Sequence, residues 1–526
     1  MTPLLIKSLS IAILILSFDT ALIAQSPAPQ TRYQQVVSLI DKNQIQPAIS
    51  LLRKILEESP NEINAHNLLG IALTMAGQIP EANEHFQKAI ALNPRFYAAF
   101  KNLAINEMAL GRLDDARGHF TQALQFGPSD PVAHLALGEI HFQKKQFAEA
   151  VKHYDQSGDL PFRNPRMALS YAVCCIELNQ SDKAAAVLDK LSPEAESPIH
   201  FEAGMMYVRM AKYDGAVRQF ELARNGYPDP YEVTFNLALA YIKNRNYTAA
   251  IRTTQEFLAK GNQRAELHNL LSQAYEGNGQ TVEAYNALRT ATQLDPNDEN
   301  NYLDLATLCV DHANYDLGLE IVNIGIRNIP RSDRLYFQRG TLLAMKGESS
   351  QAVADFEAAS KLAPERGLPY VARGIVLLEL GEIAKALTLI HQRVAVNPND
   401  YLVQYVLGEA LNRSGPALES AEENEAVQAL EKSVLINPAF AASRAVLGKM
   451  LLRRNETDRA IAQLEKALEL DPSETSTTYQ LAFAYRKKGN LERAKELLAK
   501  VDRAKSENRE QFMKHTLLRL VREGQQ

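Results

Sequence analysis

"EANEHFQKAIALNP", residues 81–94, and "DRAIAQLEKALELDP", residues 458–472, say nearly the same thing almost 380 residues apart in a 526-residue chain. In both, a small residue is followed four positions later by a ring or a leucine, then by another alanine, then by a proline twelve positions on. Stepping by 34 from Ala82 lands on Ala116, Ala150 and Ala184. A two-residue deletion shifts the series to Ala216, after which Ala250, Ala284, Gly318, Ala352 and Ala386 keep the step. A six-residue insertion precedes Ala426, and Ala460 and Ala494 follow at 34; one step back from Ala82 stands Ala48. Fourteen small residues in one register mark the chain as an array of one copied unit.

Further columns travel with this one. Twelve residues before it stand Gly70, Gly138, Gly204, Gly340, Gly374 and Gly448, with Gly408 joining once the insertion is allowed for. Four after it come Leu52, Phe86, Phe120, Tyr154, Phe220, Phe356, Leu430 and Leu464; twelve after it, Pro60, Pro94, Pro128, Pro228, Pro296 and most of their counterparts. Between these points apolar residues recur at three and four, the helical period. Each unit therefore reads as two helices joined by a short turn. Glycine and alanine stand where the helices approach closely, and the aromatic or leucine column is expected to fill the gap between units. Proline lacks an N–H and marks the boundary. One such hairpin cannot bury its apolar face alone, so stacking builds the core.

Bulk properties fit a folded chain: 46% hydrophobic, 23% charged, no tryptophan, and a net charge of −5 that favours no nucleic-acid partner. Three cysteines, Cys174, Cys175 and Cys309, are too few for a disulfide framework. No nucleophile elbow, phosphate-binding loop, paired CxxC or HExxH stands in the sequence, so no catalytic residue, metal site or cofactor is predicted. His134, His141 and His153 are read as ordinary helix histidines rather than metal ligands.

The N-terminus, "MTPLLIKSLSIAILILSFDTALIAQSPAPQ", sets a short apolar run behind Lys7, interrupts it at Asp19 and ends in small residues. That pattern reads as an export signal cleaved near Ala24, since a bilayer span needs roughly 20 apolar residues. The predicted organisation is a signal peptide over 1–24, a linker over 25–30, tandem repeats over 31–507, and a capping helix over 508–526 formed by Phe512, Met513, Leu517, Leu520 and Val521. The expected location is periplasmic, with secretion the alternative.

In spacing and type, Gly70, Ala82, Phe86, Ala89 and Pro94 resemble the tetratricopeptide repeat signature, here of a bacterial exported type, and the resemblance runs over about residues 31–507. The signature's aromatic near the start of the first helix is mostly missing, and the copies near Pro161 and Asn262 are degenerate. The resemblance implies an all-α, right-handed α-solenoid (a superhelix) of about 14 helix-turn-helix repeats, whose first helices line a concave groove that binds protein segments. Its implied function is a non-enzymatic interaction scaffold or adaptor. The alternative is an accessory of envelope assembly, in polysaccharide or outer-membrane protein export. Partners are expected to be protein or peptide segments, not nucleic acid, with membrane contact only through the cleaved signal.

Positions three before the Gly column, one after it, and four or five after it should form the inner stripe. Early repeats place Asn67, Lys101, Met108 and Glu139 there; the middle repeats place Phe201, Met205, Phe235, Leu239, Phe337 and Met345. The last repeats place Tyr405, Arg413, Lys449, Arg453, Tyr479, Arg486 and Lys487. Arg413, Arg453 and Lys487 hold the same place in three successive repeats and are expected to lie side by side as a carboxylate-holding patch. The competing reading is that the aromatics pack between helices and the basic residues form a solvated face.

Overall fold

The computed structural model describes residues 30–504. The predicted signal peptide, and the predicted capping helix at 508–526, lie outside the described residues. Over the described span the chain is a succession of helical hairpins, fourteen in number, beginning with Gln30–Asp41 and Ile45–Glu58 and ending with Thr475–Lys487 and Leu491–Ala504. No strand occurs among the described residues. The all-α solenoid of about 14 repeats expected from the sequence is therefore the architecture observed. It divides into two compact units, one up to Phe257 and one from Leu258. Within each, helices pack chiefly on their sequence neighbours and on the helix next but one.

The columns explain why. All fourteen small residues of the 34-residue series are buried, thirteen alanines and Gly318. The aromatic or leucine column has a role different from the one expected. It packs first inside its own hairpin, against the glycine column, rather than filling a gap between units. A Cβ on Gly70 would sit 2.5 Å from Phe86 Cε1; on Gly204, 2.5 Å from Phe220 Cε1; on Gly408, 2.5 Å from Leu430 Cγ. Glycine is the residue that lets a flat ring lie directly on the neighbouring backbone.

Boundaries follow local chemistry. Second helices such as Ile79–Leu92 and Leu113–Phe126 stop two residues before the boundary prolines Pro94 and Pro128. Several first helices open on a side-chain cap: Asp130 Oδ1 accepts from the Val132 and Ala133 amides at 3.0 and 2.9 Å, and Asp229, Asp298, Ser332 and Asp400 act likewise. Outside the hairpin that carries the insertion, the turn inside a hairpin holds one residue with positive φ, five before the small column. Glycine fills it at Gly77 and Gly347, but Asn43, Lys145, Ala211, Arg245 and Ala313 occupy it elsewhere. The two irregular steps in the repeat also have physical causes. The deletion falls where the second helix shortens to the eight residues Ser181–Leu188, and the insertion is the loop between Tyr401–Arg413 and Ala421–Ile436.

Sequence reading missed one further column. Sixteen residues before the small residue, where the family aromatic is mostly missing, a polar donor in several copies reaches back to the carbonyl of a proline in the entering loop. His66 Nε2 lies 2.9 Å from Pro60 O, His134 Nε2 3.0 Å from Pro128 O, and Tyr302 Oη donates to Pro296 O at 3.1 Å. With the insertion allowed for, Gln404 donates to Pro398 O at 2.8 Å, and Arg444 to Pro438 O at 2.9 Å. A proline ends the preceding helix but leaves its carbonyl to be satisfied, and these side chains satisfy it.

Candidate functional site

The first helices carry every residue of the expected inner stripe, and the structure separates those residues into three groups. In the early repeats the stripe is buried: Asn67, Lys101, Met108 and Glu139 are all under a tenth exposed. Their polar groups are spent on neighbours. Asn102 donates to Asn67 Oδ1 at 3.0 Å, Lys101 Nζ pairs with Asp130 at 2.7 Å, and Tyr154 Oη donates to Glu139 Oε1 at 2.6 Å. Lys101 therefore bonds to its own chain's carboxylate. Burial pushes the Glu139 carboxyl up to about 7, against the opposing pull of the Tyr154 hydrogen bond.

In the middle repeats the aromatics mostly pack. Phe201 is buried, stacked on Tyr227 with centroids 4.2 Å apart and tilted against Phe220 at 5.5 Å. Phe337 repeats that geometry against Phe356, also at 5.5 Å, and Met345 is buried with it. Phe235 and Leu239 are half-buried, with Phe235 6.0 Å from Tyr231. Met205 is exposed.

The last repeats differ. Tyr405 is buried edge-on to Phe440 at 5.1 Å. Arg413 pairs with Glu409 at 2.6 Å and Glu379 at 3.2 Å, and donates to Leu378 O at 3.3 Å. Lys487 Nζ makes the equivalent bond to Leu452 O at 3.2 Å, so this column supplies donors to the C-terminal carbonyls of the preceding first helix. Arg453 binds the fully buried Glu423 at 2.5 Å. Arg413 and Arg453 thus spend their charge on carboxylates of their own chain. The exposed positive charge is left to Lys449, Arg486 and Lys487. Beside it stand two exposed rings one helical turn apart, Tyr479 at 49% and Phe483 at 43%, with the Arg486 guanidinium 5.3 Å from the Phe483 ring centre. Phe483 was not among the sequence-predicted residues. Its position, four after Tyr479, was the available signal.

The titratable clusters elsewhere are structural in geometry. No group of three or more metal-ligating side chains converges among the described residues. His153 faces His134 at 3.0 Å between Nδ1 atoms, and its ring is parallel to His141 with centroids 5.4 Å apart, so their nitrogens point along parallel planes. Burial pushes the Cys174 thiol up to about 12 and those of Cys175 and Cys309 to about 11, which keeps all three protonated. No described helix is long and apolar enough to cross a membrane.

Family models of the tetratricopeptide repeat match residues 63–96, 101–161, 201–263, 235–299, 424–475 and 451–514, together more than half of the chain. The chain belongs to the tetratricopeptide repeat family. Its repeats make it a protein-interaction scaffold in kind. It is 27% identical over 180 residues to the anaphase-promoting complex subunit 3 of Schizosaccharomyces pombe, a match covering 34% of this chain and 27% of that protein. It is 34% identical over 90 residues to the mouse interferon-induced protein with tetratricopeptide repeats 3, covering 17% of this chain and 22% of that one. The chain thus spans about a quarter of the length of these curated relatives. Among solved structures, yeast Tom70 aligns over 82% of this chain and 96% of its own at 17% identity, with a TM-score of 0.39.

Proposed function

We propose that this tetratricopeptide repeat protein is a non-enzymatic adaptor, exported to the periplasm, that holds segments of partner proteins on the first helices of its last repeats. The observation that carries the reading is the exposed strip of Tyr479, Phe483 and Arg486 with Lys449 and Lys487 nearby. Elsewhere the stripe's rings and charges are largely satisfied internally; here two rings and three cations face solvent on neighbouring first helices. Exposed rings flanked by cations suit an acidic segment that also carries apolar side chains, because the rings supply desolvation and the cations supply charge-assisted hydrogen bonds. Export is supported by the signal-like pattern of residues 1–24.

The test is fluorescence anisotropy of the full chain with an acidic, leucine-bearing peptide and its neutral glutamine counterpart. The acidic peptide is expected to bind more tightly, more weakly as salt rises, and at least about tenfold more weakly to Tyr479→Ala/Phe483→Ala/Arg486→Ala. Equal binding of both peptides, or an unaffected variant of native helicity, would remove the strip as the site. The alternative role in envelope assembly rests on the same rings, which would then stack on sugars; binding of soluble glycan with no preference for acidic peptide would favour it. A reporter fused after residue 24 tests export.

A further inference from the structure

Two hairpins share an arrangement that the scaffold reading leaves unused. In the second, Ile63–Met75 with Ile79–Leu92, His66 Nδ1 lies 2.9 Å from His85 Nδ1, and His66 Nε2 is 2.9 Å from the Pro60 carbonyl. In the fourth, Pro131–Gln143 with Phe147–Gln156, His134 and His153 repeat both contacts at 3.0 Å. The proton positions follow from the partners. A carbonyl only accepts, so the inner ring, His66 or His134, carries its proton on Nε2. When that ring is neutral its Nδ1 accepts, and the Nδ1 of the outer ring, His85 or His153, must donate.

We propose that these imidazole pairs hold their hairpins shut while each pair carries no more than one positive charge, and part them when a second added proton arrives, which makes the N-terminal repeats an acid-released element.

The first added proton is tolerated on either ring, because the cationic ring donates through Nδ1 to the neutral one. The second has to sit on the Nδ1 that accepts that bond, whichever ring carries it. Two N–H groups then point at each other across about 3 Å and two cations share a partly buried site, an arrangement only separation relieves. The surroundings oppose that proton. His85 faces Lys88 and Arg53 as well as His66, with Glu81, itself paired to Arg53 at 2.7 Å, on the other side; burial and these cations push it down to about 4. His153 faces His134, His141 and Lys152 against Glu149, and burial with those groups likewise pushes it down to about 4.

The same chain supplies its own control. In the sixth hairpin, Ser197–Arg209 with Tyr213–Ala223, His200 Nε2 lies 3.3 Å from the Pro193 carbonyl, and its Nδ1 faces Gln219 Oε1 at 2.8 Å. A cationic ring donates to both oxygens, and a neutral one is served by turning the Gln219 amide so that its N–H donates to Nδ1, so this hairpin has no second-proton conflict. The position of the two pairs gives the release a consequence. The hairpin between them is tied to one side by Asn102 on Asn67 and Asn106 on Thr74 and Asn83, and to the other by Lys101 on Asp130. Opening its two neighbours frees it from both.

The experiment is hydrogen exchange with mass spectrometry on the full chain at pH 7 and pH 4, corrected for intrinsic rates. Protection over 63–92 and 131–156 is expected to fall about tenfold or more in acid, while that over 197–223 holds. In His85→Gln/His153→Gln, which copies the sixth hairpin, protection in all three segments is expected to survive. Loss in parallel in all three wild-type segments, or an unchanged loss in the variant, overturns the proposal. Should the variant misfold at pH 7, nitrogen-15 spectra of the wild-type imidazoles decide instead. Each pair is expected to hold no more than one imidazolium at pH 5, and two imidazolium rings per pair in a folded chain at that pH would refute the mechanism.

Discussion

Gly70 and Gly118 are both helical glycines, and the chain treats them oppositely. A methyl on Gly70 would enter the Phe86 ring, whereas one on Gly118 meets nothing within 4 Å. Gly70→Ala is therefore expected to destabilise by about 1–3 kcal/mol through overpacking. Gly118→Ala should stabilise by about 0.5–1 kcal/mol, by narrowing the unfolded ensemble and improving helix propensity. Urea unfolding of the two variants checks this, and the same sign for both would remove the ring-on-glycine account. The smallness of these positions was legible in the sequence, but which residue each one receives was not: the receiving ring lies sixteen positions on, and only the hairpin geometry joins them. Glu139 carries a second single-residue consequence. Its carboxyl is raised from the usual range to about 7 by burial, so the folded state prefers it protonated. That preference costs nothing below about pH 4.5, grows as pH rises towards 7, and is complete above it. Glu139→Gln, which still offers an oxygen to the Tyr154 hydroxyl, is expected to leave thermal stability at pH 4.5 nearly unchanged and to add about 1–3 kcal/mol at pH 8. A gain of equal size at both pH values would show that titration is not its cause.

A hairpin depends on its turn as much as on its helices. Five residues before the small column the backbone takes positive φ, and Ala313 holds that position at 55° where other copies have glycine. An alanine there bears about 1–2 kcal/mol of steric strain, part of which glycine would give back as lost entropy. Ala313→Gly should accordingly raise stability by about 0.5–1 kcal/mol, read from the denaturation midpoint; a fall would mean that the alanine methyl is doing more than crowding its carbonyl. The insertion after Arg413 is a turn of another kind. Ser420 caps the following helix by accepting from the Glu423 amide at 3.2 Å, and Glu423, fully buried, accepts from the Glu419 amide at 2.7 Å and pairs with Arg453 and Arg454. The extra residues are thereby pinned to the next hairpin. Glu423→Ala leaves two arginines facing a vacated pocket and should cost about 3–5 kcal/mol by thermal or urea unfolding; a loss under 1 kcal/mol would mean solvent reaches that pocket. Helix order, hairpin number and both irregular steps could be read from spacing alone, because one unit was copied and its small residues cannot change. The inner stripe could not. Phe201, Phe337 and Tyr405 occupy groove-facing positions by period, yet other rings cover them: Phe220 and Phe356 come from the aromatic column at one constant spacing, whereas Tyr227 and Phe440 stand in connections that share no column.

Contacts that run mainly between sequence neighbours also determine how a long array responds to damage. Each hairpin is stabilised by its own packing and by the two interfaces it shares, so stability is a sum over neighbours rather than a property of one core. Arrays of this length lose strict two-state behaviour, and a local change need not be felt far along the chain. Ala284, fully buried in the small column of Thr281–Leu294, offers a test inside the second compact unit. Ala284→Leu forces three extra carbons into a site where helices meet and should cost about 1–3 kcal/mol. The decisive quantity is where that loss is felt. Hydrogen exchange is expected to quicken over 265–294 and in the hairpin that follows, 299–328, while the hairpins from 441 onward keep their wild-type protection. Equal loss of protection at every hairpin of the unit would mean that it unfolds as one cooperative body, and that the copied unit, although visible in every column of the sequence, is not the unit of stability.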